Sequence, residues 1–335
     1  MEEARYYTIL QDGRARCTLC PHYCLLREGS RGLCLARSYH GGKIITENYG
    51  KVTALHLDPI EKKPLYHFFP GKKILSVGSF GCNLSCGWCQ NCEIAHHGSE
   101  AFGHLPVSSV ASIVQSAASS ESIGLAYTYN EPGIWFEFMM EMASMVRETG
   151  MKNVVVSNGY LNPRPLEELL DVADAFNIDL KGFSEAFYRR QAGGKLQPVL
   201  DTLKAVARKG IHQEVTFLVI PGLNDDLSLF REMVRWISSE LGPKTVLHLS
   251  RYFPAGKMQT PPTPVKLLEE MLHAAREVLD FVYPGNVSLG NENLQTRCPA
   301  CQHLLVERYG YQTSVKGLSF TGACEKCGEQ VAICS

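Results

Sequence analysis

Short apolar runs alternate with longer amphipathic stretches between residues 71 and 288, and this alternation predicts repeated strand–helix units. The apolar runs are rich in Val and Ile, as expected for parallel strands that are buried on both faces. The predicted strands are Ile74–Gly78, Gly124–Tyr127, Asn153–Ser157, Phe176–Leu180, Glu214–Ile220 and Val246–Leu249.

The clearest predicted helix carries four apolar side chains on one face and ends at Gly210; these are Leu196, Val199, Leu203 and Val206. Similar patterns predict further helices near residues 107–118, 134–149, 227–241 and 265–279. Strands that alternate with helices form a parallel sheet with right-handed crossovers. The units are too few for a closed eight-unit barrel, so the pattern predicts an α/β fold of the partial (β/α)6 TIM-barrel type.

Composition narrows the functional class without naming it. The chain has 335 residues, 45% of them hydrophobic, and 33 Lys+Arg against 34 Asp+Glu give a net charge of −1. This balance argues against nucleic acid as a partner and leaves enough apolar residues for a large core. The acidic start lacks an apolar signal region and no run approaches 18 apolar residues, so we expect a cytoplasmic protein without a membrane anchor.

Thirteen cysteines change this picture, because nearly all of them fall into three tight groups. The groups divide the chain into an N-terminal module (1–70), a central barrel (71–288) and a C-terminal module (289–335). Closely spaced cysteines in an intracellular protein indicate metal ligands rather than disulfides.

The central group follows the first predicted strand of the barrel with the spacing Cys82-x3-Cys86-x2-Cys89. Three thiolates on one loop suit a [4Fe–4S] cluster, whose fourth iron then stays open to a ligand. Zinc is the alternative if Cys92 supplies a fourth thiolate. Gly81 and Gly87 are expected to let the backbone pass close to the metal centre.

With Trp88 before its last cysteine, this loop resembles that of the radical S-adenosylmethionine (SAM) superfamily. Cys89-Gln90-Asn91 is similar to enzymes related to the pyruvate formate-lyase activating enzyme. Further segments resemble the radical SAM enzymes of the AmmeMemoRadiSam system; they are the N-terminal cysteines, Asp58–Phe68, Tyr127–Pro132, Ser250–Met258 and Gly285–Val287. The resemblance implies that Cys82, Cys86 and Cys89 are catalytic cluster ligands. The cluster would cleave SAM to methionine and a 5′-deoxyadenosyl radical.

The resemblance also implies SAM-binding residues at the strand ends, where barrel enzymes place their sites. Beside Trp88 they are Glu131 for the SAM ammonium, Ser157 and Asn158 for its carboxylate or ribose, Asp179 and Lys181 for its carboxylate or the substrate side, and His248 for the ribose. Each has a structural alternative. Glu131 suits a helix start, Asp179 suits a helix cap, and His248 suits a satisfied position in the core.

The outer cysteine groups each offer four thiolates. Cys17, Cys20, Cys24 and Cys34 fit either zinc or an auxiliary cluster, and zinc is preferred because it fixes short loops without redox demands. The paired CxxC motifs Cys298/Cys301 and Cys324/Cys327 predict a zinc ribbon. Cys92 and Cys334 are left over.

Three functions remain open. The first is an activase that abstracts hydrogen from a glycine of a partner protein. The second is radical SAM modification of a small molecule or of another macromolecule. The third is a metal-binding protein without catalysis. The first two require SAM and a one-electron donor such as flavodoxin or ferredoxin.

Overall fold

A computed structural model describes residues 2–334 and begins with two small antiparallel sheets. One has the strand order β1-β6-β5 and the other β2-β3-β4. These strands are β1 (Glu2–Glu3), β2 (Tyr7–Ile9), β3 (Ala15–Cys17), β4 (Leu25–Leu26), β5 (Arg37–His40) and β6 (Lys43–Thr46). The turns between them carry the N-terminal cysteines.

The main sheet follows, with eight strands in the order β14-β13-β12-β11-β10-β9-β8-β7. Its strands are β7 (Ala54–Pro59), β8 (Lys73–Gly78), β9 (Ser122–Tyr127), β10 (Lys152–Ser157), β11 (Ala175–Asp179), β12 (His212–Val219), β13 (Val246–Arg251) and β14 (Val282–Gly285). Neighbours from β8 to β14 are parallel, whereas β7 pairs antiparallel with β8. The six strands predicted from the sequence are therefore confirmed, and each edge carries one more.

The two edge strands, β7 and β14, were not predicted because neither has the pattern of a buried strand. Leu55 and Leu57 of β7 are about 40% exposed, so β7 has no continuous buried run. Strand β14 contains Pro284, which has no backbone N–H and is tolerated because the strand lies at an edge. Strand β7 lies within the predicted module 1–70 yet belongs to the main sheet, and the three module boundaries stay predictions.

Helices connect the parallel strands and pack against the sheet. They are α1 (Cys92–Ala95), α2 (Ser99–Phe102), α3 (Val110–Ala118), α4 (Phe136–Glu148), α5 (Pro163–Leu170), α6 (Glu185–Phe187), α7 (Leu196–Lys209), α8 (Leu227–Glu240) and α9 (Val265–Arg276). The predicted face of α7 is buried, and Gly210 ends the helix in the left-handed conformation. Within residues 2–334, none of these helices has the length and apolar character needed to cross a membrane.

A three-stranded antiparallel sheet forms the C-terminal module. It consists of β15 (Thr296–Arg297), β16 (Leu304–Tyr309) and β17 (Gln312–Val315). Its buried residues share one hydrophobic cluster with Tyr66, Phe281 and Tyr283. The module is therefore packed onto the β13–β14 side of the main sheet.

The segment 64–68, which we call the floor segment, crosses one face of the main sheet. The amide of Asn177 in β11 donates to the Pro64 carbonyl (2.7 Å). The backbone N–H groups of Tyr66 and His67 donate to Glu214 in β12 (2.9 and 2.7 Å). The floor segment therefore covers the N-terminal half of this face and leaves the C-terminal half for a cavity.

Candidate active site

The C-terminal ends of the central strands surround a cavity of about 360 Å³. The three central cysteines reach it from the loop after β8, with Cys86 buried and Cys82 and Cys89 half-buried. Burial raises the pKa of the Cys86 thiol to about 11, so the free thiol is protonated at neutral pH. Metal binding at these thiols would release their protons.

Gly81 holds the cysteine loop against the N-terminal module. Its φ of +86° is in the left-handed region, and an added Cβ would lie 2.4 Å from the Cys34 carbonyl oxygen. Gly87 differs, because its nearest contact for a Cβ is Met258 at 3.4 Å and its φ is not positive. Gly81 is therefore required for a close contact with the N-terminal module, and the expected approach of both glycines to a metal centre stays a prediction.

Glu131 lies at the cavity wall beyond β9 and is 2% exposed. Its Oε1 accepts hydrogen bonds from the Gly133 N–H and the Ser157 hydroxyl (both 2.8 Å), and its Oε2 accepts one from the Asn158 N–H (2.8 Å). Burial raises the pKa of Glu131, while these donors and Lys181 oppose the rise. Glu131 thus starts a short 3-10 helix, as its structural alternative predicted, and also faces the cavity.

Asp179 and Lys181 form an ion pair at the end of β11, with Nζ 3.1 Å from Oδ2. Burial opposes the charge on Lys181, but its interactions with Asp179 and Cys86 more than compensate and raise the pKa of Lys181. Asn224 fixes this turn because its amide donates to the carbonyl oxygens of Lys181 (2.9 Å) and Leu218 (2.8 Å). Asp179 therefore pairs with a lysine at the cavity instead of capping a helix.

Asn158 and Trp88 complete the predicted set at the cavity. The Asn158 amide donates to Asn83 Oδ1 (2.9 Å) and lies 3.7 Å from the Cys82 sulfur. The Trp88 ring is 5% exposed and packs at 5.6 Å from the ring of Phe187. Both side chains hold the cysteine loop in place.

His248 lies away from the cavity, which corrects the predicted ribose contact. Its Nε2 lies 2.6 Å from Glu214, and its ring packs edge-on against Tyr66 of the floor segment (4.8 Å). The next inward position on β13, Ser250, lines the cavity instead. The floor segment covers His248, so this residue fits the structural alternative of a satisfied core histidine.

Sequence reasoning missed Asn83, which lies beside the cavity, and did not foresee the burial of Lys63, which lines it. Asn83 links the cysteine loop to the strand end after β10, because its amide donates to the Tyr160 carbonyl (2.8 Å). Lys63 is 3% exposed and pairs with Asp58 (2.7 Å), which also accepts from the Tyr129 hydroxyl (2.9 Å). A lysine next to a proline after an edge strand gives no sequence signal that it is buried. The position of Asn83 inside the cysteine motif, by contrast, could have indicated that it lies near the site.

The cysteine groups differ in how closely their sulfur atoms approach. In residues 2–334, one group of at least three Cys, His, Asp or Glu side chains brings all its ligand atoms within 4.8 Å of one another, namely Cys298, Cys301, Cys324 and Cys327. This group fits a single metal ion. Cys92 starts α1 and does not line the cavity, and the Cys334 N–H donates to the His67 carbonyl (2.9 Å).

Comparisons with known proteins agree with this geometry. The model of the radical SAM superfamily matches residues 76–237. An uncharacterized protein of Methanocaldococcus jannaschii is 40% identical over 336 residues, covering 99% of each chain. The pyruvate formate-lyase 1-activating enzyme of Escherichia coli K12 is 23% identical over 150 residues, which span 44% of this chain and 61% of that enzyme.

Solved structures share the fold. A radical SAM methyltransferase from Sphaerobacter thermophilus aligns over 90% of this chain and 80% of its own, with 13% identity and a TM-score of 0.51. SuiB of Streptococcus suis bound to S-adenosylmethionine aligns over 69% of this chain and 53% of its own, with 14% identity and a TM-score of 0.51. The cysteine loop lies within the residues that the superfamily model matches, and residues 76–237 are therefore a radical SAM domain.

Proposed function

We propose that this chain is a radical SAM enzyme that takes a hydrogen atom from a substrate carbon. One observation carries the proposal. Three thiols whose sulfur atoms do not all lie within 4.8 Å of one another share a cavity with the polar ends of the central strands. A [4Fe–4S] cluster on Cys82, Cys86 and Cys89 fits this spacing, because its thiolates cap different corners of a cube. When bound, the cluster and SAM supply a 5′-deoxyadenosyl radical.

In this proposal the cavity wall binds the methionyl part of SAM. The Glu131 carboxylate has about four lone-pair sites, and three already accept protein hydrogen bonds. One site is left for an ammonium group. Ser157, Asn158, Asp179 and Lys181 would contact the carboxylate and ribose, and the buried Trp88 ring would exclude water.

We infer that a glycine of a partner protein is the first candidate substrate. The similarity to the activating enzyme of Escherichia coli and the Asp179-Leu180-Lys181 segment support this activase role. The reaction also needs an external one-electron donor, for which flavodoxin or ferredoxin is the expected class.

Modification of a small molecule or of another macromolecule is the second candidate. The similarity to the activating enzyme covers 44% of this chain, so much of the sequence has no counterpart in that match. Lys62 also lines the cavity, and its half-exposed ammonium group could contact an anionic substrate while it pairs with Asp58.

The first experiment tests SAM cleavage. Anaerobically reconstituted protein with dithionite and SAM is expected to form 5′-deoxyadenosine, detected by liquid chromatography. Cys86→Ala should abolish formation of 5′-deoxyadenosine. Cys92→Ala is the control, because Cys92 is not a proposed ligand, and it should form the product like the parent protein. Absence of cleavage in the parent protein would favour a metal-binding protein without catalysis, and full cleavage by Cys86→Ala would contradict the cluster assignment.

A second experiment separates the substrate classes. A candidate glycyl-radical protein is mixed with the reduced enzyme and SAM, and electron paramagnetic resonance (EPR) is recorded. A persistent glycyl radical supports the activase role. SAM cleavage without such a radical, together with deuterium transfer from a labelled small molecule into 5′-deoxyadenosine, supports the second candidate.

For the C-terminal cysteines we propose structural zinc. The sulfur atoms of Cys298 and Cys327 lie 3.5 Å apart, and those of Cys301 and Cys324 lie 3.7 Å apart. Tetrahedral zinc with bonds of about 2.3 Å requires sulfur separations of about 3.8 Å. This agreement supports zinc as the ion at that site.

A further inference from the structure

The three cysteine groups fall into two classes of spacing. The C-terminal group has the close separations of a single zinc ion, as its two short sulfur–sulfur distances show. Within residues 2–334, neither the central group nor the N-terminal group brings three sulfur atoms within 4.8 Å of one another. The N-terminal group therefore resembles the central group, for which the superfamily implies a cluster, and differs from the C-terminal group.

The N-terminal thiols nevertheless converge on one place. They line a small enclosed cavity together with the apolar side chains Leu19, Leu26 and Ile134; the thiols are Cys17, Cys20, Cys24 and Cys34. Gly32 lies at this cavity, where an added Cβ would be 3.7 Å from the Cys24 sulfur and 3.8 Å from the Cys34 sulfur. The four thiols thus surround one small cavity, although no three of their sulfur atoms all lie within 4.8 Å of one another.

Arg37 gives an independent sign of an anionic occupant. Its guanidinium lines the same cavity and is 1% exposed. Its Nη2 pairs with Glu137 (2.6 Å), but its Nε and Nη1 have no hydrogen-bond partner among the described residues. Buried donors without a partner are costly, so an acceptor at this site would relieve them. The sulfide ions of an iron–sulfur cluster would be suitable acceptors.

The cavity lies directly behind the central cysteine loop. The ring of His22, between Cys20 and Cys24, is 2.6 Å from the carbonyl oxygen of Asn83, the residue after Cys82. On the other side of Cys82, Gly81 abuts the Cys34 carbonyl. The N-terminal cysteine loops therefore contact the backbone of the central loop on both sides of Cys82.

We propose that Cys17, Cys20, Cys24 and Cys34 hold a second iron–sulfur cluster of the [4Fe–4S] type. Four thiolates close this cluster to further ligands, in contrast to the open iron of the central site. The N-terminal module is then a redox-active part of the enzyme, whereas zinc would make it a structural clip. This assignment replaces zinc as the preferred metal of the module and does not depend on SAM cleavage.

Metal analysis of the full-length chain tests the proposal. The variant Cys82→Ala/Cys86→Ala/Cys89→Ala lacks the central ligands and is purified anaerobically. It is expected to keep about four irons, about four sulfides and about one zinc per chain. Two zinc ions with less than about one iron would overturn the proposal. If this variant fails to fold, the parent protein decides: about eight irons and one zinc support a second cluster, and about four irons and two zincs contradict it.

Two further variants locate the iron. Adding Cys20→Ala to the triple variant should remove its remaining iron, whereas adding Cys334→Ala should leave it in place. The EPR signal of the dithionite-reduced triple variant should not move when SAM is added, because no iron is open. A signal that shifts with SAM, or iron that survives Cys20→Ala, would contradict a closed cluster on these four thiolates.

Discussion

At the scale of single residues, two buried carboxylates are held in place by hydrogen bonds from the protein, and one of them faces the cavity. Glu131 accepts from two backbone N–H groups and one hydroxyl, so its position is fixed before any ligand arrives. Glu137 is fixed in a similar way by the buried Arg37. Both side chains are almost fully buried, but Glu131 lines the cavity and Glu137 does not. Substitutions of the two can therefore distinguish an effect on ligand binding from an effect on stability.

Glu131→Gln is expected to weaken SAM binding by about 10- to 100-fold. The amide keeps the shape but loses the charge, and a charged hydrogen bond contributes about 1.5–3 kcal/mol. Anaerobic isothermal titration of reconstituted protein measures the effect, with iron content checked in parallel. Ser157→Ala retains the carboxylate and should change affinity less. An unchanged SAM affinity in Glu131→Gln would contradict the proposed ammonium contact.

Glu137→Gln is expected to lower the free energy of unfolding by about 3 kcal/mol. The substitution removes the carboxylate that pairs with the buried Arg37 guanidinium, and losing one partner of a buried ion pair is costly. Glu141→Gln on the same helix is the matched control, because Glu141 is exposed and should change stability by less than about 0.5 kcal/mol. Urea unfolding measured anaerobically compares them, and equal values for both variants would refute the prediction.

At the scale of elements, the sequence determined the centre of the sheet better than its edges. Buried parallel strands such as β10 are continuous apolar runs, which periodicity detects. Strand β7 is half exposed and β14 contains a proline, so neither gives that signal. Most of the residues predicted at the strand ends lie at the cavity for the same reason, since they follow well-marked strands. His248 was misplaced because no local pattern reveals that the floor segment covers it.

Gly81→Ala should destabilise the contact between the cysteine loop and the N-terminal module. A left-handed residue other than glycine costs about 1 kcal/mol, and the new methyl would also collide with the Cys34 carbonyl. We expect a lower melting temperature and less bound iron in anaerobic preparations. Gly87→Ala in the same loop should behave like the parent protein. Indistinguishable melting temperatures for the two variants would show that the close approach is not required.

His212, whose ring packs 5.4 Å from that of Phe68 in the floor segment, predicts a pH dependence of stability. Burial opposes the charge on His212, but its interactions with Cys334 and Glu214 raise its pKa to about 9. A pKa raised on folding stabilises the protein below the unfolded value of about 6.5, and this stabilisation is lost as pH rises through about 9. We expect the free energy of unfolding to fall by about 2 kcal/mol between pH 7 and pH 9 from this group.

His212→Gln provides the test of that pH dependence. Urea unfolding at pH 7 and pH 9 should show a smaller decrease for this variant than for the parent protein. His273→Gln is the control, because the His273 side chain is 84% exposed and pairs weakly. An identical decrease in His212→Gln and in the parent would show that the histidine does not carry the effect.

At the scale of the whole molecule, both cysteine-rich modules are attached to the main sheet by buried contacts. Arg308 of β16 is fully buried and donates to the Tyr66 carbonyl of the floor segment (2.6 Å). The positions of the cysteine motifs were evident from spacing alone. The different sulfur separations within the motifs could not be predicted from the sequence, because they depend on how each loop folds around its ligand.

Removing the C-terminal metal should unfold that module locally. Cys298→Ser is expected to lower zinc by about one ion per chain, because a four-thiolate site loses most of its affinity with one ligand. Hydrogen exchange followed by mass spectrometry should then show loss of protection in residues 296–315. Cys334→Ser should leave zinc and protection unchanged. Full protection in a zinc-depleted Cys298→Ser protein would indicate that packing alone holds the module.

The floor segment also has a consequence for the order in which the chain folds. Cys334 pairs with the backbone on both sides of Phe68, through the His67 carbonyl and the Phe69 N–H. These partners are more than 260 residues apart in the sequence, and contacts of such long sequence separation form late. The base of the cavity is thus completed only after Cys334 has left the ribosome. We expect cofactors to be retained by the finished chain and not by its nascent barrel.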